Sequence, residues 1–142
     1  MDHVSTARRQ LEQASGLVQV LAASSEAFGV LAAACLRGQG SSRDLFATYA
    51  FAGTAATEAQ IAIARAPSLP DPDPAGTGPA QSVQPDLNET SADALAGLAK
   101  LAHARLAEAG RLARDADDQA ACADAAQQAD LISKLLAPDA RP

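Results

Sequence analysis

Cys35, Cys122, His103 and five glutamates are the side chains with the most chemical reach in this 142-residue sequence, and their spacing decides what they could do. A thiol acts as nucleophile or metal ligand only as the thiolate, which needs a nearby cation, base or helix N-terminus. Neither cysteine has a histidine at nearby helical spacing, and no CxxC pair exists for zinc or redox exchange. Both therefore read as buried, reduced thiols. A two-metal centre in a helical core needs Glu-x-x-His pairs together with two further glutamates. None of Glu12, Glu26, Glu58, Glu89 and Glu108 is followed three residues later by a histidine, so no metal site is expected.

His103, in "LAKLAHARLAEAG", stands where a helical phosphoacceptor could stand, on a polar edge shared with Lys100 and Arg114. The Lys-Gly and small residues that surround such a histidine in phosphorelay modules do not follow it, so it reads as a solvated surface histidine. No G-x-S-x-G elbow occurs, and "GQGSS" lacks the lysine and the preceding strand of a phosphate-binding loop. Asp115, Asp117, Asp118 and Asp124 lack the spacing of a calcium loop and read as a capping and solubilising run. No catalytic residue and no cofactor is expected.

What remains is surface. The stretch "RDLFATYAFAGTAATEA" holds Phe46, Tyr49 and Phe51, three of the four aromatic residues in the chain. At about 100° per residue, Leu45, Tyr49, Ala52, Ala56 and Ile63 make one apolar stripe, with Phe46 and Gly53 beside it. Phe46 and Tyr49 are expected in the core. Phe51 points nearly the opposite way, in a row with Thr54, Glu58 and Arg65, so something other than the main core must cover it. A neighbouring helix, a second subunit and a ligand are the three candidates, and Phe51, Thr54 and Glu58 form the candidate interface.

Helices must position these residues. The chain has 37 alanines and no tryptophan, and alanine is the strongest helix former, so the class is all-α. Residues 3–37 read as one long helix, with Val4, Ala7, Leu11, Ala14, Val18, Leu21, Ser25, Phe28, Ala32 and Cys35 in steps of three and four. Gly16 and Gly29 are expected to bend it or admit a close crossing. "RGQGSSRD" stops this helix, and a second runs over 42–65. Six of the eight prolines fall in 67–90, which reads as a flexible linker because proline removes backbone donors. A third helix is expected over 91–113 and a fourth over 116–137, with a turn favoured over one continuous rod.

Two helical hairpins joined by a proline-rich linker make a four-helix bundle in one domain. Alanine interfaces bury little area per residue, which favours a homodimer. The net charge of −6 argues against nucleic acid, whose affinity depends on clustered Lys and Arg. No leader-like apolar stretch and no uninterrupted membrane-length apolar window is visible, so a cytoplasmic location is expected. The functional expectation is a non-catalytic bundle that binds a protein or a small ligand, most simply as a homodimer. The alternative is a thiol- or metal-handling or enzymatic bundle using Cys35, Cys122 and His103.

Overall fold

The computed structural model describes residues 3–41, 46–68 and 92–136, which form five helices and no strand. These are α1 (His3–Gln13), α2 (Leu17–Ser41), α3 (Phe46–Ala64), α4 (Ala92–Leu112) and α5 (Ala116–Leu136). The all-α class is what the alanine content demands. The helix count is five rather than four, because the single helix expected over 3–37 is two.

The break has a local cause and a distant clasp. Gly16 adopts φ +82°, a left-handed backbone that a side chain would strain. The Ser15 amide then donates to Gln19 Oε1 at 2.9 Å, covering an orphan donor at the start of α2. Across the fold, Arg105 of α4 donates from Nε to the Leu11 carbonyl at 3.0 Å and from Nη2 to the Ala14 carbonyl. The guanidinium thus satisfies carbonyls at the C-terminal end of α1 that no helix bond can reach. α1 turns back along α2 and lies between α2 and α4, with Val4, Ala7, Leu11 and Ala14 buried. Val18, expected on the inward stripe, is left exposed by the turn. α2 also runs past the expected stop: Gly38 stays helical, and the Tyr49 ring packs against its backbone.

Contacts between named residues set the helix directions. Cys35 meets Gly53, and the Gln60 amide donates to the Ser25 carbonyl at 3.0 Å, so α2 and α3 are antiparallel. His103 meets Ala126 and Gly110 meets Cys122, so α4 and α5 are antiparallel as well. Phe51 lies level with Leu131 and Leu135, and Arg65 with Asp124, so α3 and α5 also run in opposite directions. α3 and α4 therefore run the same way. The main packing pairs go around in the order α2, α3, α5, α4 and back to α2. The proline-rich connection expected between the hairpins falls mostly on 69–91, outside the described residues.

One apolar cluster spans all five helices. Phe28, Leu11, Leu21, Leu31, Ile63, Leu98, Leu106 and Ile132 fill it, and alanines such as Ala56, Ala102, Ala125 and Ala129 allow close helix approach between them. Asp115 caps α5, its Oδ1 accepting from the Asp117 amide at 2.7 Å. One turn on, buried Asp118 accepts from the Ser68 amide at 3.0 Å and from Ser68 Oγ at 2.5 Å. That pair ties the chain just after α3 to the start of α5. By length and composition α2 over Leu17–Gln39 could cross a bilayer, an exception to the expectation from the sequence. Of its most apolar window, 44 % is buried inside the fold.

Candidate interaction face

α3 carries almost no charge: Glu58 is the one charged residue in its 19 positions, beside exposed Thr54 and Thr57. A helix of that kind belongs in the middle of a core. Its inner side is indeed covered, with Ala52, Ala55, Ala56, Ala59, Ala62 and Ile63 buried. Its outer side is not. Phe51 is 65 % exposed and Ile61 44 % exposed. They share a row with exposed Thr54, Glu58 and Arg65, in steps of three, four, three and four.

Two grooves flank this row. Between α3 and α5, about 240 Å³ is lined by Phe51, Thr54, Ala55, Glu58, Gln128, Leu131 and Leu135, and its accessible wall is almost wholly apolar. Between α2 and α3, about 450 Å³ is bordered by Ala32, Ala33, Leu36, Ala50, Gly53 and Thr57, with Leu36 69 % exposed at the edge. Thr54 and Glu58 line both grooves. The three residues singled out from the sequence as a candidate interface therefore lie together, on the ridge between two hollows. Leu36, Leu131 and Leu135 were not singled out. A helical wheel of α5 alone could have flagged Leu131 and Leu135, one turn apart and off the buried stripe.

Phe46 corrects the expectation of a core ring, because it is 53 % exposed at the start of α3. Tyr49 is half-buried against the core. The ring that sequence periodicity assigned to the core and the ring assigned to the surface thus both reach solvent.

The thiols and His103 are not brought to one place. Cys35 and Cys122 are both free and fully buried. Cys35 lies against Gly53 in the α2–α3 hairpin and Cys122 against Gly110 in the α4–α5 hairpin. α2 packs mainly on α1, α3 and α4 and not on α5, so the two cysteines sit on helices that are not main packing partners. Burial pushes the Cys35 thiol up to about 12. Burial also raises Cys122, with the Asp118 carboxylate adding to it. Both stay protonated near neutrality, the opposite of a reactive thiol.

The sign for stability follows from the Cys35 shift. Between 9.0 and about 12 the unfolded chain loses this proton and the folded chain keeps it, so stability is full below 9 and falls as pH rises through that window. Cys35→Ala is expected to flatten that alkaline decline in the urea midpoint. An identical slope in both proteins would show that this thiol does not couple folding to pH. Neither thiol is expected to react with a disulfide reagent until the chain is unfolded.

His103 differs from the solvated histidine expected. It is half-buried between α4 and α5, with Nδ1 2.9 Å from the Ala126 carbonyl, which requires the proton on Nδ1. Across the same seam, the Asp130 carboxyl is held below its usual range by a hydrogen bond from Lys134, and more weakly by His103. The helices close over one side of this ring and a backbone oxygen takes its Nδ1, so it reads as an interhelical strut. Among the described residues, no group of three His, Cys, Asp or Glu converges as a metal-binding set.

A cleft of about 400 Å³ between α1 and α2, lined by Gln10, Gln13, Ala14, Gln19, Ala22, Ala23 and Glu26, is wide open to solvent and carries no nucleophile beside a base. The outer face of α3 is thus the feature with an unmet physical demand. No family model matches the chain, and no curated protein or solved structure matches it.

Proposed function

We propose that this chain is a non-catalytic helical-bundle protein that acts by protein–protein binding through the outer face of α3, and that its first partner is a second copy of itself. In this reading α2–α3 and α4–α5 are two hairpins of a bundle joined by the proline-rich segment, α1 is an added helix clasped by Arg105, and the protein works in the cytoplasm. The observation that carries it is α3 itself, a helix with the composition of a core helix and one uncovered side.

Shape favours a protein over a small ligand. The groove beside Phe51 is about 240 Å³, below the roughly 300–1,000 Å³ of small-molecule sites, and the α2–α3 groove, about 450 Å³ and within that range, is a shallow hollow open to solvent with no enclosing wall. A 19-residue helix is about 28 Å long, and with its flanking grooves it can supply the roughly 800 Å² per partner of a standard interface. The thiol-based alternative built on Cys35, Cys122 and His103 draws no support from two buried, protonated thiols in separate hairpins.

The test is Phe51→Asp, read by light scattering alongside Leu112→Asp, an equally exposed leucine at the end of α4. A charge in place of this exposed ring is expected to abolish self-association and leave the melting temperature of the dilute chain unchanged. Dissociation by Leu112→Asp with none by Phe51→Asp would move the interface elsewhere.

A further inference from the structure

The turn between α1 and α2 is only Ala14, Ser15 and Gly16, and its one breaker is Gly16 at φ +82°. A Cβ placed on Gly16 would meet nothing within 4 Å, so the left-handed backbone, not crowding, asks for glycine there. On both sides of the turn the buried positions Ala7, Ala14, Leu21, Phe28 and Cys35 keep one seven-residue step. A hairpin places no such demand on its two arms. A continuous helix does, because only then do these residues share one face. Val18, on the edge of that face, is 44 % exposed while the turn is closed. Straightening is opposed by Arg105, which holds the Leu11 and Ala14 carbonyls. In an unbroken helix the Ser15 and Val18 amides would take those same carbonyls.

We infer that this turn is a hinge for exchange between copies: α1 swings out at Gly16 into a continuous α1–α2 helix and docks between α2 and α4 of a second copy, which returns its own α1. The closed chain already lays α1 back along α2 in that slot. Two straightened helices crossing antiparallel about a two-fold axis beside the hinge make the same pairing in trans, with every contact made twice. Burial of Val4, Ala7 and Leu11 is thus remade by the partner, and the contacts of the turn are traded for helix bonds. An 11-residue helix has little stability of its own, so an open arm is driven to find a slot. Short hinge loops favour such exchange over closure. The α3 face takes no part in it, so the hinge stands or falls apart from the self-association proposed above.

Gly16→Ala tests this in a Phe51→Asp background, where the α3 face is already charged. The new Cβ disfavours the left-handed turn and favours the straight helix, each by about fivefold. The exchanged dimer should therefore gain roughly 25-fold per chain and, with two chains, on the order of 600-fold. Two forms of this variant are unfolded, mixed and refolded together, one with Arg8→Cys and the other with Gly97→Cys. Arg8 Nη1 lies 3.9 Å from a Cβ built on Gly97, so these positions face each other wherever α1 lies on α4. Twice the chain mass by light scattering, with a short bis-maleimide joining the two forms, is the expected result. A monomer at every concentration, or a dimer that the reagent does not join, overturns the hinge and leaves the α3 face untouched. Should Gly16→Ala fail to fold, Arg105→Leu releases α1 without altering the turn. Refolded at high concentration with the same cysteine pair, it should give the same joined dimer, and a monomer there overturns the hinge.

Discussion

Phe28→Ala is expected to cost about 3–5 kcal/mol of folding stability, the largest effect of any single truncation in this chain. Phe28 is fully buried and is the largest side chain in the core. A close-packed core relaxes only partly when a large side chain is removed, so much of the vacated volume stays as a cavity. A domain of this size has roughly 5–15 kcal/mol in total, and the loss would lower the melting temperature by about 10 °C or more. Phe51→Ala supplies the comparison: the same ring, removed from an exposed site, should leave the melt of the dilute chain within a degree or so. Equal losses at the two positions would mean that the inward and outward sides of this fold have been misassigned.

Arg105→Leu comes second, and its effect should be local. The substitution keeps an apolar stem but removes the donors that reach the Leu11 and Ala14 carbonyls and the ion pair with Glu108 at 3.5 Å. Hydrogen bonds to a charged group are worth about 1.5–3 kcal/mol each when buried, and this side chain is partly exposed, so roughly 2 kcal/mol in total is the expected loss. An 11-residue helix has little stability of its own. α1 should therefore detach before the rest of the fold unfolds, pivoting at Gly16. Hydrogen exchange read by mass spectrometry checks this: amides of α1 should exchange much faster in Arg105→Leu, while those of α4 and α5 keep their protection. Uniform acceleration across all helices would show that α1 is integral to the core, not clasped onto it.

These two residues also mark what can be read from the sequence and what cannot. The buried stripes of α4 and α5 are visible in one dimension: Leu95, Leu98, Ala102, Leu106 and Ala109, then Cys122, Ala125, Ala129, Ile132 and Leu136, follow helical spacing and are buried. The outward direction of Phe51 was legible for the same reason, since periodicity fixes angles around a helix axis. The break at Gly16 was not. The inward positions Ala7, Ala14, Leu21, Phe28 and Cys35 keep the same seven-residue step through it, so periodicity alone cannot tell a straight rod from a hairpin. The deciding contact comes from Arg105, more than 90 residues away in sequence. Phe46 stands beside the stripe at the first position of α3 and is exposed there, which periodicity around the helix axis does not show. His103 was misread because a wheel drawn for one helix does not show α5 closing against α4.

The candidate face was legible in part. Phe51, Thr54 and Glu58 come from one helix and share a row. The hollows beside them need Leu36 from α2 and Leu131 and Leu135 from α5, and that juxtaposition is a product of packing.

The central claim is that α3 leaves one side uncovered because a second copy covers it. Sedimentation equilibrium of the full wild-type chain tests it most directly, with Phe51→Asp run in parallel. A molar mass rising with concentration to twice the 14.4 kDa of the chain, in the wild type and not in Phe51→Asp, is the result this account predicts. A mass of 14.4 kDa at every concentration, or a dimer indifferent to Phe51→Asp, would contradict it.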